Sequence, residues 1–275
     1  MKKLTIGFSP CPNDTFIFDA LIHGKIDTEG LEFEVHMADV KELNQMAFRG
    51  ELDITKLSYH AFLHILEEYV MMDSGSALGN NCGPLLIKNA RAENPIKTDL
   101  FAIPGKYTTA NFLLNYAFPD LQNKQELLFS DIESAIKSKK VSAGLIIHEN
   151  RFTYADRGFE KVKDLGEHWE QNTGMPIPLG GIAIKRNLDN ALQEKVQRLI
   201  RKSLEFAFEN PAESLDFVKQ HAQEMDAEVM QKHINLYVND YSLSLGEKGK
   251  EAIQYMYAFS VEKKLIASTE KGLFV

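Results

Sequence analysis

The first 70 residues alternate between strand-type and helix-type patterns, and this order constrains the fold more than any other feature of the chain. The strand-type segments are 4–8, 31–37 and 52–58, and the helix-type segments are 14–24, 39–51 and 58–69. Short apolar or alternating runs indicate strands, and apolar residues at a spacing of three to four indicate helices. This βαβαβα order predicts an α/β fold with a largely parallel sheet.

Similar segments recur between 100 and 149, after a polar stretch, and a Pro- and Gly-rich segment at 174–186 then leads into a further strand. The remainder has helical patterning. We predict a two-lobed α/β fold of the periplasmic-binding-protein type (type II), with a ligand cleft between the lobes. Lobe one is predicted as 1–90 plus 183–275, and lobe two as 91–182. A single large sheet is the alternative that this pattern leaves open.

Composition narrows the function classes. The net charge of −8 argues against a general binder of phosphate backbones, so no nucleic-acid partner is predicted. No stretch approaches the roughly 20 apolar residues of a membrane span, and the N-terminal apolar run is too short for a secretion signal. With two cysteines and no metal-binding pattern of them, we expect a cytoplasmic protein without a membrane partner. The oligomeric state is not predicted.

Several strand-to-helix junctions place hydroxyl side chains where helices begin. Ser58 lies in "KLSYH", and Thr108 and Thr109 lie in "PGKYTTAN" of the other predicted lobe. Unpaired N–H groups and the helix dipole favour anions at such positions. Together the junctions predict a site for a small-molecule carboxylate. For each residue taken alone, simple helix capping is the favoured interpretation, and only the three junctions together support a binding site.

The segment "SPCPND" is the most rigid of these junctions. Prolines on both sides of Cys11 fix backbone torsions and would hold Ser9, Asn13 and Asp14 in place before a ligand arrives. Cys11 beside a helix start could act as a nucleophile. We favour Ser9, Cys11 and Asn13 as a pocket wall, because the sequence offers no partner base for the thiol.

Among the histidines, His148 has the most informative position. It ends the apolar run "AGLII", which places it at the carboxyl end of a predicted strand, and histidine is the usual general base. A strand-end histidine without a catalytic role remains the alternative, and Glu149 would point to the other face of the strand. His60 and His64 have the spacing of metal ligands, but they fall on the predicted solvent face of their helix, so no metal site is predicted. The remaining histidines, at 23, 36, 168, 221 and 233, show no convergent signal.

Motifs spread over two thirds of the chain carry a resemblance to a known family. They are "SPCPNDTFIFDAL", "GELDITKLSYHA", "PGKYTTANFLL", "AGLIIHENRFTY" and "IPLGGIAIKR". In these motifs the sequence resembles the 1,4-dihydroxy-6-naphthoate synthase family of the futalosine route to menaquinone. The resemblance runs from Leu4 to about Arg186, and the combination of "SPCPND" with the histidine segment is its most specific part.

The resemblance implies a cytosolic lyase with a fold like that of periplasmic solute-binding proteins. It implies conversion of cyclic dehypoxanthinyl futalosine to 1,4-dihydroxy-6-naphthoate without a metal or organic cofactor. The catalytic base of the family corresponds to His148. Its substrate-binding segments correspond to residues that are close to the junctions described above: Lys56, Leu57, Ser58, Thr109 and Ala110.

Residues and resemblance together give a specific hypothesis. His148 removes a proton, Asp14 orients the polyol side of the substrate, and Ser58, Thr108 and Thr109 hold its carboxylate. Two alternatives stay open: an enzyme like chorismate dehydratase, and a non-catalytic protein on the same fold that binds small carboxylates.

Overall fold

A computed structural model of the chain describes residues 2–148, 150–222 and 226–275. In these three stretches no helix is both long enough and apolar enough to span a membrane. Glu149 lies outside the described residues.

The chain forms two compact units. Unit 1 comprises Met1–Gly79 and Pro178–Val275, and unit 2 comprises Asn80–Ile177. The chain therefore leaves unit 1 once and returns to it.

The N-terminal part of unit 1 contains alternating strands and helices. They are β1 (Lys2–Phe8), α1 (Pro12–Ile22), β2 (Leu31–Met37), α2 (Val40–Phe48), β3 (Ile54–Ser58), α3 (Tyr59–Phe62), β4 (Tyr69–Met71) and β5 (Ala77–Gly79). α1 begins at a proline, which suits the first helical position because its missing N–H would have no partner there. α2 begins where the Asp39 carboxylate accepts from the N–H groups of Lys41 and Glu42.

Unit 2 has its own set of elements. They are β6 (Leu85–Asn89), β7 (Phe101–Ile103), α4 (Thr109–Ala117), β8 (Lys124–Glu126), α5 (Ile132–Lys137), β9 (Ala143–Ile146), α6 (Asn150–Thr153), β10 (Phe159–Asp164) and α7 (Leu165–Thr173). A short 3-10 turn at Phe129–Asp131 follows β8.

The chain then returns through one long strand into a helical C-terminal part. These elements are β11 (Ile177–Lys185), α8 (Asn190–Glu209), α9 (Pro211–His221), α10 (Ala227–Tyr237), α11 (Asp240–Leu243) and α12 (Gly246–Glu262).

The sheet of unit 1 has the order β2-β1-β3-β11-β4, with β5 also paired to β11. β1 runs parallel to β2 and β3, whereas β11 is antiparallel to β3 and β4. The helices α1 and α8 pack together beside this sheet, and their apolar residues join those of β1 and β11 in one core. The parallel strands β1 and β3 end at one edge, and the predicted site residues of unit 1 lie there, either around the turn after β1 or in the last residues of β3.

Unit 2 has a sheet of order β10-β6-β9-β7-β8 with a separate core. β7 is parallel to β8 and β9, but β6 is antiparallel to β9 and β10. Both sheets are therefore mixed, and the expectation of a largely parallel sheet is wrong.

The boundaries of the units also differ from the predicted lobes. The sequence prediction places 80–90 in lobe one, but β6 lies in unit 2 because both of its neighbours, β9 and β10, belong there. Residues 178–182, predicted in lobe two, lie in unit 1, because β11 pairs with β3 from Gly180 onward.

Candidate functional site

The turn between β1 and α1 is held by the carboxylate of Asp14. Asp14 is the third residue of α1, and its Oδ2 accepts hydrogen bonds from the Ser9 N–H at 3.1 Å and from the Ser9 hydroxyl at 2.7 Å. Cys11 takes the extended conformation that precedes a helix, with φ −64° and ψ 149°. The carboxylate thus reaches back across the turn and fixes the position of Ser9.

A buried ion pair joins this turn to β3. The ammonium group of Lys56 lies 3.1 Å from Asp14 Oδ1, and the two side chains are only 7% and 2% exposed. Lys56 also donates to the carbonyl of Gly75 at 2.9 Å, and Asn13 Nδ2 donates to Asp14 Oδ1 at 2.8 Å. Burying two charges is tolerable only when they are paired and hydrogen-bonded; here Asp14 receives bonds on both oxygens, and Lys56 has both a carboxylate and a carbonyl partner.

The turn has a further contact that the sequence did not reveal. Nε2 of His233 on α10 lies 2.9 Å from Asn13 Oδ1. Asn13 and His233 are 220 positions apart, and no local pattern connects them. The sequence analysis assigned no role to His233.

Ser58, at the end of β3, is held by a buried amide that the sequence analysis also missed. Asn44 Oδ1 accepts from the Ser58 N–H at 3.0 Å, and Asn44 Nδ2 donates to the Ser58 hydroxyl at 3.2 Å. Because the hydroxyl oxygen accepts this bond, its own hydrogen remains able to donate to a ligand. A buried asparagine on the amphipathic helix that precedes a strand is the signal that could have identified Asn44.

The helix after Ser58 is shorter than predicted. α3 spans only Tyr59–Phe62, so its dipole adds little at Ser58, and the predicted helix over 58–69 is wrong. His60 is buried at 7% exposure, which contradicts its predicted place on a solvent face, whereas His64 is exposed. The two Nε2 atoms are 3.4 Å apart.

The two glycines of "IPLGGIAIKR" allow β11 to lie close against β3. A Cβ atom on Gly180 would lie 2.9 Å from the carbonyl oxygen of Leu57, and one on Gly181 would lie 2.9 Å from the hydroxyl of Tyr59. The side chain of Leu57 is itself completely buried.

In unit 2, His148 follows β9 in a left-handed backbone conformation. β9 ends at Ile146, and His148 has φ +57°. Its imidazole contacts the ring of Phe129 at 5.0 Å between centroids, and the residue is half-buried. β7, β8 and β9 are parallel, so His148, Phe129 and the start of α4 all follow the same edge of the sheet of unit 2.

Thr108, Thr109 and Ala110 begin α4, and all are buried. The Thr108 hydroxyl accepts from the N–H of Asn111 at 3.3 Å and donates to the carbonyl of Gly105 at 2.7 Å. Thr108 is therefore a helix cap. The buried Thr109 and Ala110 are the first two residues of α4.

The segment after His148 is anchored by an arginine. Arg151 on α6 donates to the carbonyl of Gly83 and lies 3.7 Å from Asp164 Oδ2. Gly83 in turn lies so close to Gly166 that a Cβ on it would be 2.3 Å from the Gly166 Cα. These contacts fix α6, which begins two residues after His148.

Both cysteines are buried, unlike a reactive pair of thiols. Burial raises the pKa of the Cys82 thiol to about 12, so Cys82 is protonated and inert at neutral pH. Cys11 is buried at 8% exposure within the turn after β1.

Comparisons with known proteins agree with one another. Residues 4–262 match a protein family described as menaquinone biosynthesis. A relative from Thermus thermophilus, named "1,4-dihydroxy-6-naphtoate synthase", is 41% identical over 276 residues, which cover 100% of both chains.

Solved structures agree on the fold. A crystal structure of a protein from Archaeoglobus fulgidus has a TM-score of 0.91 and 36% identity, and covers 96% of this chain and 98% of that one. The alkanesulfonate-binding protein from Xanthomonas axonopodis pv. citri, bound to MOPS, has a TM-score of 0.74 at 12% identity over 98% of this chain and 95% of that one. The predicted α/β fold class of the periplasmic-binding-protein type is confirmed, and so is the resemblance carried by the sequence motifs.

Proposed function

Because this chain belongs to the menaquinone biosynthesis family, we propose that it converts cyclic dehypoxanthinyl futalosine to 1,4-dihydroxy-6-naphthoate, with His148 as general base. The protein is an enzyme of menaquinone biosynthesis, a carbon–carbon lyase. The proposal concerns its particular substrate and the residues that act on it.

The backbone of His148 is the observation that carries the proposal. A residue other than glycine in the left-handed region is uncommon, and such strained positions concentrate at functional sites. His148 holds φ +57° at the strand edge where α/β folds bind ligands. An imidazole is the usual general base near neutral pH.

Each unit contains residues that are proposed to contact the substrate. In unit 1, Ser58 would donate its hydroxyl hydrogen to the substrate carboxylate. Lys56 and Leu57, which precede it in β3, are proposed to belong to the same substrate-binding segment. In unit 2, Thr109 and Ala110 contribute the start of α4, with Thr108 as its cap.

Asp14 is proposed to contribute mainly through other residues. Its carboxylate already accepts from Ser9 and Asn13 and pairs with Lys56. A direct contact between Asp14 and the polyol side of the substrate stays a prediction. These internal contacts favour a positioning role for Asp14, with Ser9, Cys11 and Asn13 as the wall around it.

The proposed reaction requires little beyond acid–base catalysis. Removing a proton from the substrate allows a carbon–carbon bond to open in retro-aldol fashion, a ribose-derived fragment leaves, and the remaining ring becomes aromatic. We place this reaction in the cytoplasm, with a small-molecule carboxylate as its only required partner and without a cofactor.

The test is to offer the purified protein two substrates, cyclic dehypoxanthinyl futalosine and chorismate, and to follow formation of the naphthoate by absorbance and mass spectrometry. The proposal expects turnover of the first substrate only. Turnover of chorismate would assign the dehydratase reaction instead, and binding of either compound without turnover would assign a binding protein.

A further inference from the structure

A buried histidine far from β9 is connected to the turn after β1. His233 lies in the middle of α10, which packs against α1, and it is 0% exposed. Its ring contacts Tyr237 one helical turn further on, at 4.7 Å between centroids. An apolar side chain could fill this space without the cost of burying an imidazole, so the polar group calls for an explanation.

The orientation of Asn13 fixes the proton on His233. Asn13 Nδ2 donates to Asp14 Oδ1 at 2.8 Å, and the opposite orientation of this amide would place its oxygen against the carboxylate. The other end of the amide, Oδ1, therefore faces His233 Nε2 at 2.9 Å. Because Oδ1 can only accept, Nε2 must carry a hydrogen and donate it.

We infer that His233 is a positioning residue for the reaction, which acts through Asn13 on Asp14 and so on Ser9 and Lys56. The inference rests on the proposed function, because it assumes that the turn and the Lys56 segment bind substrate. When the Nε2 donor is present, the Asn13 amide is locked and one oxygen of Asp14 keeps a fixed donor. Without it, the amide can rotate and Asp14 Oδ1 loses one of its two fixed partners, with only Lys56 remaining.

The experiment compares His233→Leu, His233→Gln and His233→Asn in steady-state kinetics with cyclic dehypoxanthinyl futalosine. The Gln amide nitrogen can reach the place of Nε2, whereas the shorter Asn side chain cannot. We expect His233→Leu and His233→Asn to raise KM about tenfold with kcat within about twofold of wild type. His233→Gln should restore KM to within about threefold.

Ser203→Ala is the matched control. Ser203 is also 0% exposed, and it ties α8 to α1 by bonds to the Leu21 N–H and the Ile17 carbonyl, away from Asp14. The Ser203→Ala substitution should lower the melting temperature and leave KM unchanged. A purely structural role for His233 would give the same result as this control, with unchanged KM, and would overturn the inference.

Two further outcomes also bear on the role of His233. If His233→Leu does not fold, the Gln and Asn variants carry the test, and equal KM values for them overturn the inference. If the wild-type protein does not turn over the substrate, the proposed function fails. NMR of the imidazole nitrogens of wild-type His233 then decides the contact itself, with a hydrogen on Nε2 expected and a hydrogen only on Nδ1 contradicting it.

Discussion

The turn after β1 in unit 1 and the turn after β9 in unit 2 occupy equivalent places, at the carboxyl ends of strands, yet they are built differently. The first is buried, and its charges are paired internally through Asp14 and Lys56. The second presents a half-buried imidazole from a left-handed backbone position. The first is built to keep its shape, and the second holds the imidazole of His148 on a left-handed backbone position.

This difference indicates a division of labour. Internal pairing in unit 1 holds its side chains in place before a ligand arrives. Less conformational entropy is then lost on binding, which is the benefit of preorganisation. A left-handed backbone at His148, at the strand edge where α/β folds bind ligands, accords with a position that serves the proposed reaction. The comparison therefore predicts that substitutions in the two turns affect different kinetic parameters.

The largest effect is expected for His148→Ala. Loss of a general base should lower kcat by roughly 100- to 10,000-fold, while substrate affinity stays near that of wild type. Steady-state kinetics and calorimetric binding of the naphthoate product measure the two quantities. Unchanged turnover would remove His148 from the mechanism.

Asp14→Asn should mainly reduce stability. The substitution leaves the buried ammonium of Lys56 without its carboxylate, and breaking a buried ion pair costs about 3–5 kcal/mol. Urea unfolding monitored by circular dichroism measures this loss. Glu34→Gln, which breaks the exposed pair with Lys3, is the control and should leave the midpoint nearly unchanged. An equally small shift in both variants would mean that the Asp14–Lys56 pair does not stabilise the turn.

Asn44→Ala should have an intermediate effect on binding. It leaves the buried Ser58 N–H without its acceptor, at a cost of about 1–3 kcal/mol, and frees the hydroxyl to rotate. We expect KM to rise about tenfold with little change in kcat. Thr108→Ala, which removes a helix cap, should cost about 1 kcal/mol of stability and serves as the comparison in unit 2. A fall in kcat without a change in KM for Asn44→Ala would contradict the binding role that we assign to this edge of unit 1.

Much of the fold was predictable because its signals are local. β2 has the predicted bounds of 31–37, and the elements around it differ only at their ends. β10 was missed because "FEKVKD" is too polar to indicate a strand. α7 did have a start signal, since Asp164 accepts from the N–H groups of Gly166 and Glu167, and reading "DLGE" as a cap would have found it.

The site was predictable only in part. His148 stands out because it ends an apolar run at a predicted strand end, and Ser58 stands out because a hydroxyl falls where a helix is predicted to begin. The contact between His233 and Asn13 joins residues that are distant in the chain, and the left-handed backbone of His148 has no sequence signal, because histidine is compatible with several conformations. The sequence does not reveal the contacts of Asp14 inside the turn after β1. Those contacts, which favour a positioning role for Asp14 over a direct substrate contact, are visible only in the structure.

The smallest predicted effect separates strain from chemistry at one residue. His148→Gly should be more stable than His148→Ala by roughly 0.5–1 kcal/mol, because glycine adopts positive φ without steric cost. Both variants should lack activity. Thermal unfolding of the two proteins measures the difference, and equal stabilities would show that the backbone at 148 is not strained.

The most direct test of the division of labour is the single-turnover rate at saturating substrate, measured by rapid quench for His148→Ala and Asn44→Ala. Saturation removes differences in affinity, so this rate reports the chemical step. The account predicts a rate roughly 100- to 10,000-fold below wild type for His148→Ala and a rate near wild type for Asn44→Ala. A wild-type rate for His148→Ala would contradict it.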